Sequence, residues 1–240
     1  MIKKILLTRP VEDSLNTKKK LEKIGFETVI IPLIKICKLN YAEIPLKEYD
    51  LVIFTSRNAA KIFDIKLAGK GIIFSIGDGT TRALKERNFS NIKNSKGNSR
   101  DIIVLFKKIF NNRKINILHP CAKNISMELE NYFYNQGSNY YKLPIYEVKK
   151  QCSSNKGFRD YLESTHNLIT IYSSKTALSF VETIKRLNLE KYCKDKIIFA
   201  LSSKISGHLA DLNFKKIYVP DSPSERRLIE IVRNFKKGEN

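Results

Sequence analysis

What this chain of 240 residues lacks narrows it first. Its four cysteines, Cys37, Cys121, Cys152 and Cys193, stand far apart with no CxxC pair. That spacing argues against a disulfide framework and a zinc site, and for reduced thiols in a cytoplasmic protein. The three histidines, His119, His166 and His208, are equally scattered, so no metal centre is expected. Nowhere do about 18 apolar residues run together, so no membrane span is expected. Near the start, Ile5-Leu6-Leu7 stops at Thr8-Arg9-Pro10, too short for a signal-peptide core. No GxGxxG follows the first apolar run, which counts against a dinucleotide-binding dehydrogenase. An RRM aromatic signature, zinc-finger spacing and a clustered basic stripe with interleaved aromatics are also missing, so no nucleic-acid partner is expected.

What is present is apolar material and positive charge. A hydrophobic content of 42% with 10% aromatics is enough for buried cores. The length suits one large domain or two ordinary ones. The formal net charge is +20. Such a balance attracts polyanions, either nucleic acid or a small molecule rich in carboxylates. It equally fits the codon bias of an A+T-rich genome, visible in the abundance of Lys, Ile and Asn. Lys18-Lys19-Lys20 and Lys236-Lys237 are expected on solvated helix faces.

Self-similarity along the chain is the most informative feature. Four times an apolar residue is followed, four positions on, by Gly or Asn: Leu21 to Gly25, Leu84 to Asn88, Phe133 to Gly137 and Leu209 to Asn213. Three of the four continue with Phe (Phe26, Phe89, Phe214). This is the pattern of a helix ending in a left-handed residue, with the next side chain folded back on the last turn. Apolar runs of strand length also recur: Ile2–Leu7, Leu51–Phe54, Ile72–Ile76, Ile115–Leu118, Leu168–Tyr172 and Ile197–Leu201. They do not alternate with polar residues, as expected of parallel strands covered on both faces. Strand–helix alternation of this kind predicts α/β architecture with doubly wound parallel sheets.

The two halves match. Asp50 through Ala59 resembles Asn167 through Ala177, Ile73 through Leu84 resembles Ile198 through Leu209, and Pro32–Ile36 mirrors Pro144–Val148. Two flavodoxin-like domains are therefore expected. Residues 1–32 alone cannot bury a core, so they are expected to join residues 151–240 in a discontinuous first domain. Residues 41–142 form the second, and 33–40 and 143–150 form paired linker strands, with a cleft between the domains. Breaks in pattern fall at Asn40 to Lys47 and Lys149 to Gly157.

Thr8-Arg9-Pro10, Phe54-Thr55-Ser56-x-Asn58-Ala59, Ile76-Gly77-x-x-Thr80-x-x-Ala83-Leu84 and Leu143-Pro144-Ile145-Tyr146, in that order, resemble the uroporphyrinogen-III synthase family. The resemblance runs over most of the chain. It implies a monomeric hydro-lyase of tetrapyrrole (haem) biosynthesis that needs no cofactor. Its substrate is hydroxymethylbilane, a linear tetrapyrrole with eight carboxylates. The reaction loses water, inverts the last pyrrole ring through a spiro intermediate and closes the macrocycle. Unaided, the substrate closes to the uninverted isomer, so positioning carries the catalysis. A non-enzymatic small-molecule sensor on the same scaffold is the first alternative, because fold does not fix function, and a basic nucleic-acid-binding protein, suggested by charge alone, is the second.

In open α/β sheets ligands bind beyond the carboxyl ends of strands. The candidates there are Thr8 and Arg9, Thr55 and Ser56, Gly77 and Thr80, Ser173 and Ser174, and Ser203. Hydroxyls, free helix amides and cations suit carboxylates. Thr55, Ser56, Ser173 and Ser203 have an ordinary alternative as helix N-caps. For Arg9 the alternative is a surface ion pair. Arg57, Lys175 and Lys204 are candidates by placement alone. Tyr146, implied catalytic by the resemblance, either donates a hydrogen bond to the substrate or is a packing tyrosine. Two departures from the family stand out. The second Gly-x-x-Thr turn reads Ser202-Ser203-Lys204-Ile205, where Ser203 or Ser206 is left to supply the hydroxyl. The turn expected after the fourth strand of the second domain reads His119-Pro120-Cys121-Ala122-Lys123. There Cys121 is read as a small buried thiol rather than a nucleophile.

Overall fold

The computed structural model describes residues 3–42, 48–64, 71–95, 97–151 and 155–238. Ile2, Cys152 and parts of the two expected pattern breaks lie outside them. In chain order the elements begin β1 (Lys4–Leu7), α1 (Val11–Glu22), β2 (Glu27–Ile30), β3 (Ile34–Lys38), β4 (Leu51–Phe54) and α2 (Arg57–Ile62). Then come β5 (Ile72–Ser75), α3 (Asp78–Lys85), β6 (Ile92–Asn94), α4 (Ser99–Phe110), β7 (Asn116–Ala122), α5 (Glu128–Gln136) and β8 (Asn139–Lys150). The chain ends with α6 (Asn155–Glu163), β9 (Leu168–Ile171), α7 (Ser174–Arg186), β10 (Ile197–Ala200), α8 (Ser203–Gly207), β11 (Lys216–Tyr218) and α9 (Glu225–Lys237).

Two compact units result, one of Met1–Lys35 with Lys149–Asn240, the other of Ile36–Val148. The first holds a parallel sheet in the order β2-β1-β9-β10-β11. In the second, β8-β7-β4-β5-β6 run parallel. There β3 adds at the β8 edge, antiparallel, with the Leu39 amide donating to the Ile145 carbonyl. The two walks are one topology in permuted order: β7-α5-β8 stands where β1-α1-β2 stands, and β4, β5, β6 stand for β9, β10, β11. The doubly wound α/β reading is correct. Strand order reverses between β1 and β9 and between β7 and β4, and the carboxyl ends beside such a reversal are where ligands of open sheets bind.

Continuous apolar runs follow from having both faces covered. Val52 and Phe54 pack into one core of the second unit, Leu51 and Ile53 into the other. Leu6 is likewise separated from Ile5 and Leu7 in the first unit. Each fully buried side chain of this size contributes roughly 1.5–3 kcal/mol.

Three of the four expected helix ends are left-handed stops: Gly25, Asn88 and Gly137 have φ of 80°, 62° and 83°. In each, the amide of the following residue donates to the carbonyl five positions back, as Phe26 does to Leu21. Asn213 does not take this conformation, because the stretch before it closes with three-residue turns instead, Leu212 to Leu209 among them. An unforeseen instance ends α7, where Asn188 has φ of 54° and the Leu189 amide bonds to Ile184. Lys236 is exposed, as expected of a solvated helix face, and it also makes contacts the sequence did not suggest. Its ammonium donates to the Ile24 and Gly25 carbonyls, 2.8 and 2.9 Å away, neutralising the negative end of α1.

The His119-Pro120-Cys121 stretch is strand, not turn: β7 pairs with β8 from Asn116 through Ala122, with an irregularity at Cys121 and Ala122. On its β4 side the ladder pairs only Ile117 and Leu118. The strand is edge-like by Pro120, where a residue without an amide proton is tolerated.

Candidate functional site

Past the end of β4 the chain stays extended to Ser56, whose φ and ψ are −146° and 135°. Successive side chains therefore point to opposite faces. Ser56 turns toward the α2 face and caps α2, accepting from the Asn58 and Ala59 amides at 3.1 and 3.4 Å. Its Oγ also lies 2.8 Å from the Tyr146 hydroxyl. A hydroxyl has one proton and two lone pairs. With the lone pairs of Ser56 facing two amides, its proton is directed to the Tyr146 oxygen; Tyr146 itself is 4% exposed and packs in a core of the second unit. Burial raises the Tyr146 pKa, outweighing the Ser56 hydrogen bond, so the phenol stays protonated. Two candidates far apart in sequence thus form one donor pair.

Thr55 points to the other face and caps nothing. Its hydroxyl is 3.0 Å from Nε2 of His119, and Nδ1 of that imidazole is hydrogen-bonded to the Tyr140 hydroxyl. Burial, helped by Lys142, lowers the His119 pKa to about 4. Cys121, beside it on β7, is fully buried and its thiol is pushed up to about 12 by burial, so it is no nucleophile. Tyr140 was not distinguishable in sequence from the other tyrosines around it. Its only signal is the two-residue offset that parallel register with β7 creates.

Gly77 opens α3 with φ 77° and ψ 156°, and its amide donates to Asn94 Oδ1 at 3.1 Å. Only glycine adopts this backbone without strain of about 1–3 kcal/mol. Among the described residues, nothing lies within 4 Å of where a Cβ would stand. Gly77→Ala should therefore cost about 1–3 kcal/mol through backbone strain alone. A urea midpoint unchanged from wild type would refute this. Thr80 is buried in the first turn of α3, with its amide bonded to the Gly77 carbonyl at 3.2 Å.

In the first unit the candidates are more occupied by the fold itself. Thr8 is fully buried, its hydroxyl donating to the Thr170 carbonyl at 2.9 Å. Arg9 is neither at the surface nor free. Its guanidinium pairs with Glu225 at 2.8 Å and Asp13 at 3.6 Å, donates to Thr17, and lies over the Tyr172 ring 4.2 Å from its centroid. Ser173 caps α7 by accepting from the Thr176 amide at 3.1 Å, leaving Ser174 in the helix's open first turn. The cap of α8 is Ser202, not Ser203: Ser202 has the extended backbone and accepts from the Ile205 amide. Ser203 is exposed, while the Ser206 hydroxyl donates to the Ser203 carbonyl at 3.0 Å.

A 590 Å³ cavity lined by Tyr49, Asn116, Tyr134, Tyr140 and Tyr141 opens at the amino ends of β4, β7 and β8, and among the candidate-site residues it reaches Tyr140. No helix among the described residues is long and apolar enough to cross a membrane.

The family model for uroporphyrinogen-III synthase HemD matches residues 16–230. Among curated proteins, the porphyrin biosynthesis protein HemD of Ruminiclostridium josui is 27% identical over 205 residues, 78% of this chain and 40% of its own length. The chain thus spans about two-fifths of that relative. A putative uroporphyrinogen-III synthase of Methanocaldococcus jannaschii is 28% identical over 233 residues, 92% of this chain and 80% of its own. Two solved structures share the fold at 14% identity. The uroporphyrinogen-III synthetase of Helicobacter pylori has a TM-score of 0.64, covering 98% of this chain and 100% of that one. A mutant uroporphyrinogen III synthase of Thermus thermophilus has 0.62, covering 98% of each.

Proposed function

Because the chain belongs to the uroporphyrinogen-III synthase family, we propose that it closes hydroxymethylbilane to uroporphyrinogen III, inverting the last pyrrole ring and releasing water. In this reading it works as a cytoplasmic, monomeric hydro-lyase without a cofactor. The observation that carries the chemistry is the Ser56–Tyr146 pair at 2.8 Å. The phenol, with its oxygen accepting from Ser56, donates its proton as a hydrogen bond to the hydroxyl that departs from the substrate. Thr55 offers a second hydroxyl on the other face of the same sheet. The first turn of α3, which Gly77 opens, and that of α7, with Ser174, present helix-start amides that suit the substrate's carboxylates. The remaining work is positioning: the chain must hold the last ring so that the inverted closure outruns the spontaneous one.

The test generates hydroxymethylbilane in situ, adds the protein, oxidises and separates the uroporphyrin isomers. Predominance of isomer III supports the reading. Isomer I alone from folded protein would replace it with a non-enzymatic sensor. Tyr146→Phe should lower turnover roughly fivefold to tenfold, the worth of one hydrogen bond of about 1 kcal/mol. Full turnover in that variant would remove Tyr146 from the chemistry.

A further inference from the structure

We propose that His119 is a positioning residue: it forms the middle of a Tyr140–His119–Thr55 relay that turns the Thr55 proton outward, toward a carboxylate of the substrate. The inference rests on the synthase reading for the identity of that carboxylate, and on geometry for the rest. Parallel pairing sets Tyr140 opposite Ile117, two residues before His119 on the same face of β7. The Tyr140 ring lies flat on Phe133, with centroids 5.6 Å apart and planes 14° from parallel, and meets the imidazole at 5.8 Å. His119 is 2% exposed, whereas Thr55 at the end of β4 is half-buried and within reach of solvent. The relay therefore passes from the half-buried Tyr140 through a buried imidazole to an accessible hydroxyl.

Proton counting fixes its direction. A neutral imidazole has one donor and one acceptor. Burial holds the Tyr140 phenol far above its usual pKa, so it keeps its proton. Its hydrogen-bond partner among the described residues is His119 Nδ1, so the phenol donates there. Nε2 then carries the ring proton and donates to Thr55 Oγ1, 3.0 Å away. The Thr55 proton is left over and points outward. The opposite tautomer spends the Thr55 proton on the ring and leaves the half-buried Tyr140 hydroxyl without its acceptor, which is the less favourable arrangement. The charged neighbours are Lys142 on β8, paired with Glu130 on α5 at 3.0 Å. The lysine helps keep the imidazole neutral.

Two measurements on the full chain decide it. The first is the imidazole nitrogen spectrum of the ¹⁵N-labelled protein, expected to show His119 as the Nε2–H tautomer at pH 7. Tyr140→Phe should convert it to a mixture. An Nδ1–H tautomer in wild type overturns the relay. The second is kcat/KM for isomer III formation in Thr55→Val, His119→Leu and the double variant. Each single change should cost about tenfold, and the double should cost no more than either, since one interaction is being removed twice. His119→Gln, which keeps a donor and an acceptor, should recover most of the loss. Additive losses, or full turnover in His119→Leu, overturn the proposal. If wild type yields only isomer I, the synthase reading fails, and the nitrogen spectrum still judges the relay on its own.

Discussion

Phe133→Ala should destabilise the second unit by about 3–5 kcal/mol, the range for emptying a buried aromatic site. The ring is fully buried. It meets Phe106 edge-on at 4.9 Å, Tyr132 at 5.1 Å and Tyr140 face-on at 5.6 Å. These neighbours sit on α4, α5 and β8, elements held by their own ladders, so the site can collapse only partly and most of the cavity term survives. Hydrogen exchange during urea denaturation would locate the loss in residues 36–148, leaving the first unit's exchange unchanged. Turnover should also fall in the protein that remains folded, because Tyr140 loses the ring that holds it against His119. A loss under about 1 kcal/mol would mean that Phe106 and Tyr132 close the gap, and the cluster would then be more plastic than a close-packed core.

Arg9→Ala should cost about 2–3 kcal/mol in the first unit. Removing one member of a buried ion pair typically costs 3–5 kcal/mol by stranding the other. Here the figure is reduced because Glu225 keeps Lys20 and Thr17, and its side chain is 24% exposed. Glu225→Gln should be milder, since it removes the stranded charge itself. The two should be less than additive, as expected of residues in one network. A pH dependence follows. Burial alone would raise the Glu225 pKa, but hydrogen bonds from Lys20 and Thr17 and the charge of Arg9 outweigh it, and the net shift is downward. A carboxyl with a depressed folded pKa stabilises the fold above its unfolded value. That contribution is lost as pH falls below about 4.5 toward the folded value. Thermal melts between pH 7 and pH 3 should therefore fall less steeply for Arg9→Ala than for wild type. Parallel curves would show that the pair contributes nothing to acid sensitivity.

Sequence carried the sheets and missed the finer contacts, for identifiable reasons. A strand buried on both faces must be apolar throughout, so Leu51–Phe54 and Leu168–Ile171 stand out by composition alone. A left-handed helix stop needs Gly or Asn, so Gly25, Asn88 and Gly137 could be read, while Asn213 shows that the pattern does not guarantee the geometry. Boundaries within a run of like residues were not legible: Ser202 and Ser203 are chemically the same, and only the backbone angles choose the cap. Pro120 looked like a turn because sequence does not tell a strand paired on one side from one paired on both. Arg9 could be read as a cation for a ligand because its partner, Glu225, lies 216 residues away. The Ser56–Tyr146 and Thr55–His119 pairs joined residues already notable singly, but their pairing depends on register between strands and no local pattern encodes it.

The permuted strand order has a consequence for how the protein is made. All of residues 36–148 emerge from the ribosome in one stretch and can fold as they appear. β1 and β2 emerge earlier, but β9, which covers the open side of β1, follows more than a hundred residues later. At about 5–20 residues per second, the amino-terminal β1-α1-β2 unit waits on the order of ten seconds with an apolar strand edge unpaired. During that interval the β9 side of β1 is an unpaired apolar edge, the kind of surface on which incomplete chains associate, until β9 arrives to cover it.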